Sequence, residues 1–149
     1  MEQTTPYNEY LSLLESLSKT LARLTELSKT KAAAVRRDDL PQLNACINEE
    51  QALSLALKGI DQKREVLLAQ LGLTGVPLSG LPGHCPPSLL PKTRDIVARL
   101  QSQYRIYTAA SETARTTLEC NLHQIERYLA ERSLEQPVEP LKRKTDIRA

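Results

Sequence analysis

The chain of 149 residues has no Trp and no Phe, and its five Tyr bring the aromatic fraction to only 3%. A β-sandwich or barrel draws its core from aromatic and β-branched residues, so this scarcity argues against both. Gly is also rare, at five. An α/β enzyme needs Gly-rich turns after its strands, and five are too few to build them. Two His and three Cys leave little from which to assemble a catalytic or metal centre. The cysteines, Cys46, Cys85 and Cys120, are odd in number and widely spaced. That pattern is not a disulfide framework and suits a reducing cytosol. No apolar run approaches the roughly 18 residues of a membrane span, so no membrane insertion is expected. Residues 1–10 are polar with two acids, unlike a secretory signal. A net charge of +2 is nearly balanced and argues against wholesale nucleic-acid binding, which uses a basic face.

What remains is a hydrophobic fraction of 40%, carried mostly by Leu and Ala, and a charged fraction of 26% split between both signs. Leu and Ala are strong helix formers, and this mixture is the composition of long amphipathic helices. The fold class expected is all-α.

The first helix is expected over residues 6–37. Pro6 fits a first helical turn, with Thr4 or Thr5 as a cap. Tyr7, Tyr10, Leu14, Leu17, Leu21 and Leu24 recur in steps of 3, 4, 3, 4 and 3, the seam of a left-handed packed helix. Leu11, Leu13 and Leu27 widen the stripe as a bundle helix requires. The segment Asp38-Asp39-Leu40-Pro41 breaks the helix and restarts it at once: the acids can cap the new N-terminus, and Pro41 fits only its first turn. Such a short joint predicts an antiparallel hairpin, or else a kink in one longer helix.

The second helix is expected over 40–71, with Gly72 as its C-cap. Its stripe is Leu43, Ile47, Leu53, Leu57, Ile60, Leu67 or Leu68, and Leu71. Glu50 and Arg64 interrupt that line, either pairing with another helix or lying at an open end. Residues 72–91 hold four of the five Gly and five of the nine Pro, interleaved with Leu73, Val76, Leu78 and Leu81. This stretch is expected to be neither helix nor central strand, and to lie against the bundle, either as a crossover at its end or as a functional or mobile loop. The third helix is expected over 90–133, with a stripe of Ile96, Leu100, Tyr104, Tyr107, Ser111, Ala114, Leu118, Leu122, Ile125 and Leu129. Its first half should pack on the other two helices. Its centre is poor in large apolar groups, which allows close helix approach or a bend. Residues 1–134 thus read as one helical-bundle domain and 135–149 as a disordered basic tail.

Catalytic and metal chemistry find no support. His84-Cys85 is a lone adjacent pair better read as surface loop, and His123 as half-exposed helix surface. Asp38-Asp39 and Glu49-Glu50 read as caps and solvated charges. The cluster Lys142-Arg143-Lys144, with Arg148, could touch RNA or anionic lipid. Tyr104, Tyr107 and Tyr128 form either an exposed recognition face or core and boundary packing. No enzyme activity, metal or cofactor is expected.

The order of features in the first half resembles a known family. A Leu heptad helix (Leu14, Leu17, Leu21, Leu24) leads through Lys31-Ala32-Ala33-Ala34 to the joint Arg37-Asp38-Asp39-Leu40-Pro41-Gln42-Leu43. A second helix follows with Asn48-Glu49-Glu50-Gln51-Ala52-Leu53 and ends in Leu67-Leu68-Ala69-Gln70-Leu71-Gly72-Leu73. This resembles the FlgN-type flagellar export chaperones over residues 10–73, with the third helix matching loosely. The resemblance implies three long helices in an up-and-down antiparallel bundle with coiled-coil-like packing. It implies a cytoplasmic, non-enzymatic chaperone of flagellar type III secretion that binds hook–filament junction proteins before export and engages the export apparatus. Recognition in that family lies in the C-terminal helical part, which takes up a terminal amphipathic helix of the client. Carried onto this chain, the client-binding residues are Leu118, Leu122, Ile125 and Leu129. The family's Tyr-Gly-type tail element has no counterpart after Tyr128, so a tail contact with the export gate is not carried over. Independently of the resemblance, an apolar stripe left over on a small helical bundle suits helix-in-groove binding with anchors at i, i+3/i+4 and i+7. The same stripe leaves self-association open, and a coiled-coil adaptor without an export role is the alternative function.

Overall fold

A computed structural model of the chain describes residues 4–135. They form three long helices, α1 (Thr4–Arg36), α2 (Leu40–Leu71) and α3 (Leu90–Glu135), with two short 3-10 turns between α2 and α3. No strand occurs among the described residues. Of the tail expected to be disordered over 135–149, Glu135 is the last residue of α3, and the rest, with the basic cluster Lys142-Arg143-Lys144, lies in 136–149, outside the described residues.

Helix α1 starts at Thr4, with Pro6 in the first turn, where a missing N–H costs nothing. Its stripe is the core of the molecule: Tyr7, Tyr10, Leu14, Leu21 and Leu24 are buried, as are the flanking Leu11 and Leu27. That is more than one face. A stripe this wide lets α1 be gripped from two sides at once, and α2 packs along one side while α3 packs along the other. The direction alternates. A tight turn sends α2 back along α1, where Arg23 donates to both Glu49 carboxylate oxygens at 2.7 and 2.9 Å. Helix α3 then runs parallel to α1: the Tyr7 hydroxyl lies 3.0 Å from the Thr93 hydroxyl, and Arg99 meets Glu15 at 3.3 Å. The result is an all-α up–down–up bundle with α1 at its centre.

The joint is a hairpin rather than a kink. Asp38 adopts a left-handed conformation with φ 55°, and the Asp39 N–H donates to the Ala34 carbonyl at 2.9 Å, closing a Schellman-type end on α1. The Asp39 side chain then accepts from the Gln42 N–H at 3.1 Å and caps α2, with Pro41 in the first turn. One residue therefore ends one helix and begins the next. The interrupting Glu50 of α2 pairs across to α1, accepting from the Lys31 ammonium at 2.9 Å in a largely screened position.

Gly72 ends α2 at φ 71°, and the Leu73 N–H reaches back to the Leu68 carbonyl at 2.8 Å. This second Schellman end brings Leu73 and Leu68 together in the core. The segment that follows lies against the bundle through buried Leu81 and partly buried Val76, Leu78, Cys85 and Leu89. One expectation needs correction here. Residues 78–84 and 87–89 are helical after all, as 3-10 turns, with Pro82 inside the first. Short 3-10 turns use few backbone donors, so Pro is tolerated.

A second correction concerns α3. Ile96, Val97 and Leu100 are buried, but Tyr104 is 62% exposed, although the stripe places it inward. The reason is that α2 and α3 never pack on each other: no Cα of one lies within 8 Å of a Cα of the other. Tyr104 faces the space between them. At the centre of α3, Ala114 is buried and Ser111 half-buried, so the small residues serve close approach to α1, in a helix that continues without interruption.

The Tyr7–Thr93 contact gives a pH prediction. Both side chains are fully buried, and burial pushes the Tyr7 phenol up to about 12 from its usual 10. The fold thus favours the neutral phenol. Its contribution is complete below pH 10, where the unfolded chain also keeps the proton, and is lost as pH rises toward 12. A two-unit separation corresponds to roughly 2–3 kcal/mol. The melting temperature should fall steeply between pH 10 and 12, and Tyr7→Phe should flatten that fall while lowering stability at pH 7 by leaving the Thr93 hydroxyl unpaired. Parallel losses in both proteins above pH 10 would clear Tyr7 of the role.

Candidate binding face on the projecting third helix

The register between α1 and α3 decides which part of α3 is covered. Tyr7 lies level with Thr93, and Ala32 and Arg36 near the end of α1 lie beside Ala109, Ala110 and Thr113. Beyond about residue 117 there is no more α1 to pack on, yet α3 continues to Glu135. At ~1.5 Å per residue the last 18 residues project some 27 Å past the end of the bundle.

The apolar stripe continues onto this projection without its partner. Leu118, at the edge, is half-buried, whereas Leu122 is 55%, Ile125 47% and Leu129 56% exposed. Their steps of 4, 3 and 4 keep them on one helix face. Tyr128 is also exposed beside them; the Arg132 guanidinium sits 5.5 Å from its ring centroid and donates to its hydroxyl at 3.1 Å. That stacking favours one orientation of the ring. His123, expected to be half-exposed, has a side chain that is 80% exposed, with Glu126 3.9 Å away. The four residues singled out from the sequence thus lie together on one line of the projecting helix.

A second apolar surface was not legible in the stripes. The space between α2 and α3 is a groove of about 610 Å³. Its floor is Leu14, Leu17 and Leu21 of α1, and its walls carry Leu57, Asp61 and Arg64 of α2 and Leu100, Tyr104 and Arg105 of α3. The available signal was Arg64, which breaks the stripe of α2 at the position where α2 faces this groove instead of a packed helix. A broader hollow of about 780 Å³ between α1 and α2 has a mostly apolar surface, with Leu13, Val66 and Leu67 in its lining beside the short polar side chains of Thr5, Asn8, Ser12 and Ser16.

Cys120 is exposed on α3, whereas the reactive side chains of the 78–89 segment are engaged locally. The Nδ1 of His84 lies 3.0 Å from the Gly80 carbonyl, and the Cys85 thiol donates to the Pro82 carbonyl at 3.4 Å. Cys46 is buried between α1 and α2; burial pushes its thiol up, and the Glu50 and Glu49 carboxylates add to the shift. A protonated, enclosed thiol is a poor nucleophile. Among the described residues no group of three or more His, Cys, Asp or Glu is placed to hold a metal ion. None of the described helices is long and apolar enough to cross a membrane.

The chain matches the model of the FlgN protein family over residues 1–131. No curated protein and no solved structure matches it. The match spans all three helices, including the whole of the exposed line on α3, and it extends the likeness seen over residues 10–73 to nearly the whole described chain. By this match the chain belongs to the FlgN family of flagellar export chaperones, proteins that bind flagellar substrates.

Proposed function

We propose that this chain is a cytoplasmic chaperone of flagellar type III secretion that holds hook–filament junction subunits through the line Leu118, Leu122, Ile125 and Leu129, keeps them unassembled and delivers them to the export apparatus. The observation that carries the reading is the continuation of a packing stripe onto a helix with nothing to pack on. Left about half exposed, each large side chain forgoes about half of the roughly 1.5–3 kcal/mol that full burial supplies. An amphipathic client helix supplies the missing face, with anchors spaced as on an ordinary helix–helix contact. A client segment prone to self-associate is covered in the same act.

Salt separates this reading from binding through a basic tail. Apolar docking persists when ionic strength is raised from about 0.1 to 1 M, because screening acts on charges. Phosphate contacts through Lys142 to Lys144 would instead weaken steeply over that range. Titration calorimetry with a purified hook–filament junction subunit should give an affinity that changes less than threefold across it. Failure to bind any such subunit, with binding to some other coiled-coil protein instead, would favour an adaptor without an export role.

A further inference from the structure

The packed interfaces of the bundle share a pattern, an apolar seam with ion pairs across its edge. Between α1 and α2 these are Arg23–Glu49 at 2.7 Å and Lys31–Glu50 at 2.9 Å; between α1 and α3 it is Glu15–Arg99 at 3.3 Å. The projecting part of α3 carries half of such an interface. In heptad terms Leu118 and Ile125 take position d, and Leu122 and Leu129 take position a. Glu119 and Glu126 directly follow the d residues, so they take position e and line one edge of the seam. The other edge, position g, holds Asn121 and Tyr128, neither of them charged. Positions e and g are where paired helices exchange salt bridges, and those bridges set partner choice.

Both acids are exposed, and among the described residues neither is ion-paired with a Lys or Arg. Arg115, one turn before Glu119, donates instead to Glu112. His123 lies 3.9 Å from Glu126, on the side away from the seam. The basic residues of the projection do not neutralise this edge. Arg127 falls about half a turn round the helix from the seam, and Arg132 is stacked on Tyr128 at the opposite edge.

We propose that the helix docking on this line is basic along one edge. Its apolar stripe is flanked on one side by Lys or Arg about seven residues apart and on the other by uncharged residues, and Glu119 and Glu126 select it. A second copy of this chain laid antiparallel on the line would oppose acid to acid, which disfavours it. The inference deepens the chaperone reading and rests on its premise that the line docks a helix; it adds which helices the line accepts. Exposed ion pairs are individually weak and screened by salt, so these acids contribute discrimination more than affinity.

Two synthetic peptides of about three heptads test the selection. Both carry Leu at 3- and 4-residue spacing and Gln along one edge; the other edge is Lys in the first and Glu in the second. At about 0.1 M salt the full chain should bind the Lys-edged peptide roughly tenfold more tightly, and the preference should shrink below about threefold at about 1 M. Glu119→Lys with Glu126→Lys should reverse the preference. Glu65→Lys with Glu131→Lys changes the net charge equally, at exposed positions off the seam, and should leave the preference in place. Equal binding of the two peptides, binding of neither, or the same effect from both double variants would overturn the proposal. So would a dimer of the chain alone that Leu122→Asp with Ile125→Asp dissolves, because a second copy would then occupy the line. A preference that emerges only once 136–149 is deleted would overturn it too, by making the chain's own tail the occupant. The subunit titration described above keeps the two readings apart. If a hook–filament junction subunit binds but the peptides are not distinguished, the chaperone reading stands and the basic edge falls. If the Lys-edged peptide is preferred and no such subunit binds, the reverse holds.

Discussion

Replacing Leu122 and Ile125 with Asp should lower affinity for the client segment by well over tenfold while leaving the melting temperature of dilute protein within about 1–2 °C of the wild type. The two halves of this expectation have different origins. The affinity loss follows from placing two carboxylates where an apolar helix must dock: burying an unpaired charge costs several kcal/mol, and each 1.4 kcal/mol is tenfold in affinity. The small effect on melting follows from position. Leu122 and Ile125 are 55% and 47% exposed on a helix that has already passed the end of α1, and substitutions at such sites stay within about 0.5 kcal/mol. Deleting 136–149 should leave client binding intact. If that deletion abolished binding and the double substitution did not, the binding face would lie in the tail. A melting temperature lowered by 10 °C or more in the double variant would instead make these two residues ordinary core.

How far the fold was legible depends on which interaction wrote the pattern. The helix breaks were legible because turn chemistry is local. Asp38-Asp39-Leu40-Pro41 contains its own cap and its own first-turn Pro, and Gly72 supplies the left-handed residue that ends α2. The packed face of α1 was legible because a stripe with Leu11 and Leu27 beside the heptad positions has no other use than burial. The docking of the 72–89 segment through Leu73 and Leu81 was legible for the same reason. The 3-10 turns were not, since a run dense in Pro and Gly excludes α-helix without excluding a shorter period.

Partnership was the part that could not be read. A heptad stripe marks which face is apolar but not how many neighbours cover it. The stripes of α2 and α3 look alike on paper, yet α2 keeps only Cys46 and Leu68 fully buried, and Tyr104 of α3 turns to water. Both outcomes come from one fact, that α2 and α3 each pack on α1 and not on each other, α3 adding only the two 3-10 turns. Glu50 and Arg64 were the visible hints. Glu50 found Lys31, and Arg64 marks the open groove. For the proposed binding face, the sequence placed Leu118, Leu122, Ile125 and Leu129 on one line. Their exposure depends on α3 outlasting α1, a matter of length and register rather than of residue type.

The same asymmetry predicts where stability resides. Leu11→Ala should destabilise the protein by about 2–5 kcal/mol, the range for removing a fully buried Leu side chain from a core that relaxes only in part. Leu11 has no exposure and sits on α1 between its two partners, so the cavity is walled by packed groups that cannot collapse freely. At about 3 °C per kcal/mol for a chain of this size, the melting temperature should drop by roughly 6–15 °C. Leu55→Ala is the matched control on α2. Leu55 is 70% exposed, and Ala is an equal or better helix former, so the change should be within about 0.5 kcal/mol. The comparison tests the architecture directly, since three helices packed equally on one another would not concentrate the core on one of them. Thermal melts of the two variants decide it: comparable losses would mean that α2 is buried on the face carrying Leu55, more deeply than a one-sided contact with α1 allows.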